Sequence, residues 1–132
     1  MKETIENSQE GTDVFLISFL KTFAAVREVL KIDFEDEKQK MENVYNSLAQ
    51  MLSAISGLFP SERRDFLDLV AGLVSDEFNE YQFVSPEQTL QIDPDIHDAH
   101  GVGSGTVKEG KTFAVIRKST RKAVKYAEIK VN

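Results

Sequence analysis

The chain has 132 residues, the size of one domain, and 41% of them are hydrophobic, which excludes disorder of the whole. It contains no cysteine, which excludes disulfides, thiolate metal sites and a cysteine nucleophile and suits a reducing compartment. The net charge of −6 is unevenly spread: residues 1–100 carry 8 basic against 20 acidic side chains, whereas residues 101–132 carry 8 against 2.

Residues 1–12 read as a flexible tail. They are polar and acidic and lack the basic and apolar regions of a secretory signal. No apolar run in the chain approaches the roughly 20 residues that span a bilayer. The expected location is cytoplasmic. Thr12 or Asp13 is placed to cap a helix whose apolar positions are Leu16, Phe19, Leu20, Phe23, Val26 and Leu30, a spacing of three and four that makes one stripe. Asp33 is the expected cap of a second helix, with Glu35, Asp36 and Glu37 in its first turn, where negative charge complements the helix dipole. Its stripe, Met41, Val44, Tyr45, Leu48, Met51, Leu52, Ile55 and Phe59, is the strongest periodic signal, and Gly57 and Pro60 mark its end. Ser61 is the expected cap of a third helix with the stripe Phe66, Leu69, Val70, Leu73, Val74 and Phe78. Its polar side holds Arg63, Arg64, Asp65, Asp68, Asp76, Glu77 and Glu80 and reads as a solvated face.

Beyond residue 80 prolines and glycines punctuate the chain and helical spacing stops. Extended runs remain at 89–92, 106–108, 112–118 and 123–131. The last alternates, with Ala127, Ile129 and Val131 on one side and Val124, Tyr126 and Glu128 on the other. Helices first and strands later predict an α+β fold, a three-helix bundle over 13–80 followed by a small, mainly antiparallel β subdomain over 81–132, as one compact unit.

The segment 93–101 holds both histidines, His97 and His100, together with Asp93, Asp95 and Asp98. Imidazole and carboxylate suit zinc or manganese, and a metal-dependent enzyme is one reading. No further histidine and no cysteine exists to complete a buried site. The plainer reading makes Asp93 the cap of a turn that Pro94 begins, with the histidines packed where helices meet sheet. Ser104 and Thr106 lie among glycines without a nucleophile elbow. Residues 105–112 fit the spacing of a phosphate-binding loop, ending in Gly110, Lys111 and Thr112, but the run that follows reads as strand where that loop needs a helix. Gly110 is instead expected at a tight hairpin turn. The basic stretch places Arg117, Lys118, Arg121 and Lys122 in an electropositive turn between the last two strands. Phosphate backbones bind such patches, but Phe113 and Tyr126 are the only nearby aromatics for base stacking.

Residues 92–100, Ile-Asp-Pro-Asp-Ile-His-Asp-Ala-His, resemble the junction motif of GrpE-type nucleotide exchange factors, in which an apolar residue, Asp-Pro, two residues, His, an acidic or amide residue and Ala lead from a helical bundle into a β wing. Asp93, Pro94, His97 and Ala99 match it. Residues 41–59 resemble the bundle helix, and 111–131 the wing's final strands. The resemblance implies a bundle used for dimerisation and a compact wing that inserts against the nucleotide-binding domain of a DnaK-type chaperone and helps open its cleft. The matching wing surface includes Lys122 and Val131. The chain departs from the family in lacking its long N-terminal coiled coil and in inserting the third helix.

Together these readings predict a non-catalytic protein-interaction module without a cofactor, a chaperone cofactor resembling the exchange factors. Its expected partner-binding residues are Arg117, Lys118, Arg121, Lys122 and Val131. A DnaK-type chaperone is the expected partner, and a homodimer would form through the helices. The rivals are a nucleic-acid-associated regulator using the basic hairpin and a metal-dependent enzyme at His97 and His100.

Overall fold

A computed structural model of the chain describes residues 2–98 and 105–131. Three helices, α1 (Lys2–Leu30), α2 (Glu37–Ala54) and α3 (Arg63–Ser75), precede six short strands. The strands are β1 (Tyr81–Val84), β2 (His97–Asp98), β3 (Val107–Gly110), β4 (Ala114–Arg117), β5 (Ala123–Lys125) and β6 (Ala127–Val131). The fold is therefore α+β. No helix among the described residues is long and apolar enough to cross a membrane.

α1 buries Phe15, Phe19 and Val26. Phe19 packs against Phe15 and Phe23 with ring centroids 5.7 and 5.8 Å away, and Phe66 of α3 sits 5.3 Å from the Phe19 ring. The helix starts at Lys2, so the run expected as a tail, 1–12, falls largely within α1. Residues 2–10 contain no proline or glycine, and Gly11 meets nothing that a side chain would displace. A single exposed helical glycine costs about 1 kcal/mol, too little to end a helix that continues into a packed stripe.

α2 starts three residues later than expected. Asp36, not Asp33, is the cap, and its Oδ1 accepts from the Gln39 amide at 2.7 Å. Tertiary contact explains the choice: it leaves the Glu37 carboxylate free to accept from the amides of Asn79 and Glu80 at 3.1 and 2.6 Å. α3 also differs. Its N-cap is Glu62, without a side-chain cap bond, and the helix ends at Ser75. Its buried face is Arg63, Leu67, Val70, Ala71 and Val74, while Leu69 and Leu73 remain 58% and 50% exposed. The chain then turns into β1, a strand the periodicity did not reveal. Ser75 makes the stitch: its Oγ donates to the Ala71 carbonyl at 2.6 Å and accepts from the Phe83 amide at 2.8 Å, so the outer edge of β1 is satisfied.

The strands form two three-stranded sheets, ordered β1-β4-β5 and β2-β6-β3. All pairings are antiparallel except β2 with β6. The run expected as one strand over 123–131 divides at Tyr126, β5 joining the first sheet and β6 the second. The run expected at 89–92 contributes a bridge between Gln91 and Thr106. Residues 111–113 carry the chain from one sheet to the other, so Gly110 does not make a β3–β4 hairpin. Its glycine is required by close approach: a Cβ there would lie 2.2 Å from Cγ of Pro86. One core unites the helices with Tyr81, Phe83 and Val115 of the first sheet and with Phe113, just before β4. Because side chains alternate along a strand, Ala114 faces a second small cluster with Val84, Ile96 and Ala127.

Candidate partner-binding surface

The β4–β5 hairpin carries the basic turn. Its backbone closes through Arg117 N–H to the Lys122 carbonyl at 2.9 Å and Arg121 N–H to the Arg117 carbonyl at 2.7 Å. Arg121 sits at φ +61, in the left-handed region that side chains rarely adopt. A non-glycine residue held there stores on the order of 1 kcal/mol and is over-determined by its surroundings.

Those surroundings are the end of α3 and the connector to β1. Lys118 Nζ donates to the carbonyls of Ser75 and Phe78 at 3.2 and 2.7 Å, a cation just past the C-terminus of α3, where the helix dipole favours positive charge. Ser119 Oγ donates to Glu80 at 2.7 Å. The Arg117 guanidinium lies 5.5 Å from the Tyr81 ring centre and 3.9 Å from a Glu80 oxygen. From the other side Lys40 Nζ donates to the Glu77 carbonyl at 3.2 Å, so α2 and the hairpin grip the same connector. Further along, the Lys125 ammonium lies over the Tyr45 ring at 4.7 Å, and Lys130 pairs with Glu109 at 3.5 Å.

The basic stretch is thus divided. Arg117, Lys118, Lys125 and Lys130 dock on the chain's own body. Lys108, Lys111, Arg121 and Lys122 are exposed, with no side-chain partner among the described residues. Of the expected surface, Arg121 and Lys122 form the accessible tip and Arg117 and Lys118 form its footing. Val131 lies on β6 of the other sheet, paired with Val107 and half-buried, so it does not share a strand or a sheet with the tip.

In the junction segment, the Asp93 carbonyl accepts from the His97 amide at 2.8 Å and its Oδ1 from the Asp95 amide at 3.0 Å, closing a turn that contains Pro94. The buried His97 ring is occupied at both nitrogens. Nδ1 accepts from the Asp93 amide at 2.8 Å, which places the hydrogen on Nε2, and Nε2 donates to the Pro86 carbonyl at 2.8 Å. No lone pair is left for a metal. Among the described residues no group of three or more His, Asp or Glu is placed to hold one. Ala99 and His100 lie outside the described residues. The phosphate-loop spacing is occupied by strand β3, Thr112 Oγ1 accepts from the Glu128 amide at 2.8 Å, and β4 follows where a helix would be needed.

A buried ion network escaped the sequence reading, which placed Arg63 on a solvated face. Arg63 is 2% exposed. Its Nε lies 3.0 Å from both oxygens of Glu87, its Nη1 donates to the carbonyls of Ile55 and Leu58 at 2.9 and 2.8 Å, and Glu109 approaches at 3.9 Å. Glu109 accepts from the Gly57 amide at 2.7 Å and the Ser56 hydroxyl at 3.2 Å. Burial pushes its carboxyl up, but the Gly57 amide, the Ser56 hydroxyl, Arg63 and Lys130 outweigh burial and hold it below the usual carboxylate range. The network ties the α2–α3 turn to β3. The alternation of Val107, Lys108 and Glu109 was a usable signal, since it turns Glu109 inward with Val107 once β3 is recognised as a strand.

A groove of about 540 Å³ lies between α3 and β1, lined by Asp68, Gly72, Asp76, Gln82, Gln88 and Lys118 among others. Burial pushes the Asp68 carboxyl up against the opposing pull of Arg64. Compared with protein-family models, curated proteins and solved structures, the chain finds no match.

Proposed function

We propose that this chain is a non-catalytic protein-interaction module whose β subdomain grips a protein partner at the tip of the β4–β5 hairpin. The carrying observation is the division of the basic turn: Arg117 and Lys118 anchor the hairpin to α3 and the connector, while Arg121 and Lys122 project without protein partners among the described residues. An anchored tip loses little freedom on binding, which favours a specific complex over a diffuse electrostatic one. The junction residues Asp93, Pro94 and His97 make a DnaK-type chaperone the proposed partner, with the chain acting in the cytoplasm as a cofactor that stabilises one of the chaperone's conformations. Affinity capture from native lysate tests this. The expected result is recovery of a DnaK-type chaperone that disappears with Lys122→Glu. Recovery of nucleic acid alone, weakening steeply with added salt, would instead favour the nucleic-acid regulator.

A homodimer through the helices belongs to the same proposal. Val14, Ile17 and Leu20 on α1 are 50%, 67% and 56% exposed, an apolar strip that a second copy would cover. Light scattering on the purified protein should return a two-chain mass that falls to one chain with Ile17→Glu. A one-chain mass for the unaltered protein removes the dimer.

A further inference from the structure

His97 is a buried titratable side chain, 4% exposed, and its two ring bonds impose one protonation state. Nδ1 faces the Asp93 amide, which can only donate, so that nitrogen must keep its lone pair. A second proton would set two N–H groups against each other across 2.8 Å. The Pro86 carbonyl on the opposite side imposes no such limit, because Nε2 donates to it from the neutral and the charged ring alike. Protonation therefore breaks one bond and strengthens the other, since a charged donor makes the stronger hydrogen bond. The ring stays on Pro86 and the Asp93 amide must leave.

The Asp93 end is lightly held. Its carbonyl accepts from the Ile96 and His97 amides at 3.1 and 2.8 Å, which ties the turn to itself. Ties to the rest of the subdomain are few among the described residues: the Ile92 amide to the Gly105 carbonyl at 3.2 Å, the Ala127 amide to the Ile96 carbonyl at 2.7 Å, and the short parallel ladder of β2 on β6. Ile96 adds its side chain to the small cluster with Val84, Ala114 and Ala127. A segment with so few attachments opens locally at well below the cost of global unfolding. The titratable groups on the elements around the ring are acids apart from one lysine. They are Glu87, Asp93 and Asp95 on the β1–β2 connection, Asp98 on β2 and Glu128 opposite it on β6. β3 reaches Pro86 at Gly110, between Glu109, which faces Arg63, and the exposed Lys111, while β4 meets the junction through uncharged Ala114. Glu87 is engaged by Arg63 and the Gly110 amide, and the Asp93 carboxylate by the Asp95 amide. We propose that His97 is a proton-operated latch: in mild acid the ring takes a proton at Nδ1, releases the Asp93 amide, and lets the turn over 93–98 swing off β6 and the second cluster while the first sheet and the helices stay closed. The closed form holds the neutral ring and the open form accepts the proton, so opening grows as pH falls below about 6.5, the ordinary histidine value. The latch is independent of what the hairpin tip binds.

NMR of the full chain between about pH 7.5 and about pH 5 tests the latch. Ring nitrogen shifts report the protonation of His97. Hydrogen-exchange protection, corrected for the pH dependence of the chemical step, reports opening. At the upper end the ring should be the Nε2–H tautomer. On acidification it should gain its second proton while protection at the Asp93 and Ala127 amides falls about tenfold per pH unit, one proton being taken up per opening. The Phe83 amide, bonded to Ser75, and the Ile55 amide at the end of α2 should keep theirs. His97→Asn offers an acceptor and a donor but no titratable proton, and should hold protection at Asp93 and Ala127 level across the range. A ring that gains its proton with both amides still protected, a ring that stays neutral at about pH 5, or an equal acid-induced loss of protection in His97→Asn would each overturn the proposal. Should the variant not fold, the ring and amide signals of the unaltered chain decide alone.

Discussion

Glu109 and His97 are the residues whose setting matters most and whose role was least visible in advance. A glutamate in a four-residue strand reads as solvent-facing, and distant partners, the Gly57 amide, the Ser56 hydroxyl, Arg63 and Lys130, make its burial tolerable. That pairing is decided by the tertiary fold. His97 lies on β2 against the connection from β1, and its double hydrogen bond needs the Pro86 carbonyl, which local spacing does not announce. The Glu109 environment has a consequence for pH. Its folded carboxyl sits below the ordinary value of 4.5, so the unfolded chain takes up the proton first. The stabilisation is therefore present above 4.5 and is lost as pH falls through the lower folded value. Asp68, raised by burial, acts in the opposite sense but is exposed and contributes little. Glu109→Gln should cost about 3 kcal/mol at neutral pH by unbalancing Arg63, and should flatten the acid limb of stability. Urea unfolding at neutral pH and near pH 3 checks both; parallel acid limbs in the two proteins would show that Glu109 is not the group responsible.

Among the elements, the helices were legible because their apolar positions recur every three or four residues, while their ends were not. Each misplaced boundary has a distant cause. α2 begins at Glu37 because its carboxylate caps Asn79 and Glu80, and α3 stops at Ser75 because that hydroxyl closes the edge of β1. β1 was hidden because Tyr81, Phe83 and Val84 are all buried, which erases the alternation that marks a strand. Gly110 shows how a correct residue can carry the wrong reason. A turn glycine needs backbone freedom, whereas this one needs the absence of a side chain beside Pro86. Gly110→Ala should therefore destabilise by about 1–3 kcal/mol, as an overpacked site does. Gly72→Ala, where a Cβ on α3 meets nothing, should instead stabilise by up to about 1 kcal/mol. Thermal unfolding of the two variants gives opposite signs if the distinction holds, and the same sign if Gly110 serves only as a flexible hinge.

For the molecule as a whole, the uneven charge was legible from the sequence and its resolution was not. The basic strands neither float free nor fold wholly onto the acidic helices. Lys118, Lys125, Lys130 and Arg117 secure the hairpin and its sheet, and a shared core of helix and sheet side chains makes the assembly stiff. What remains outward is a small set of cations on a fixed frame. In the proposed function this frame, rather than total positive charge, creates the grip. Calorimetric titration of a purified DnaK-type chaperone into the chain is the direct measurement. Lys122→Glu should abolish binding with the fold intact, and Lys118→Met, which leaves the tip charges but removes their footing, should weaken it about tenfold. Undiminished binding by Lys122→Glu, or no heat with the unaltered chain, would contradict it.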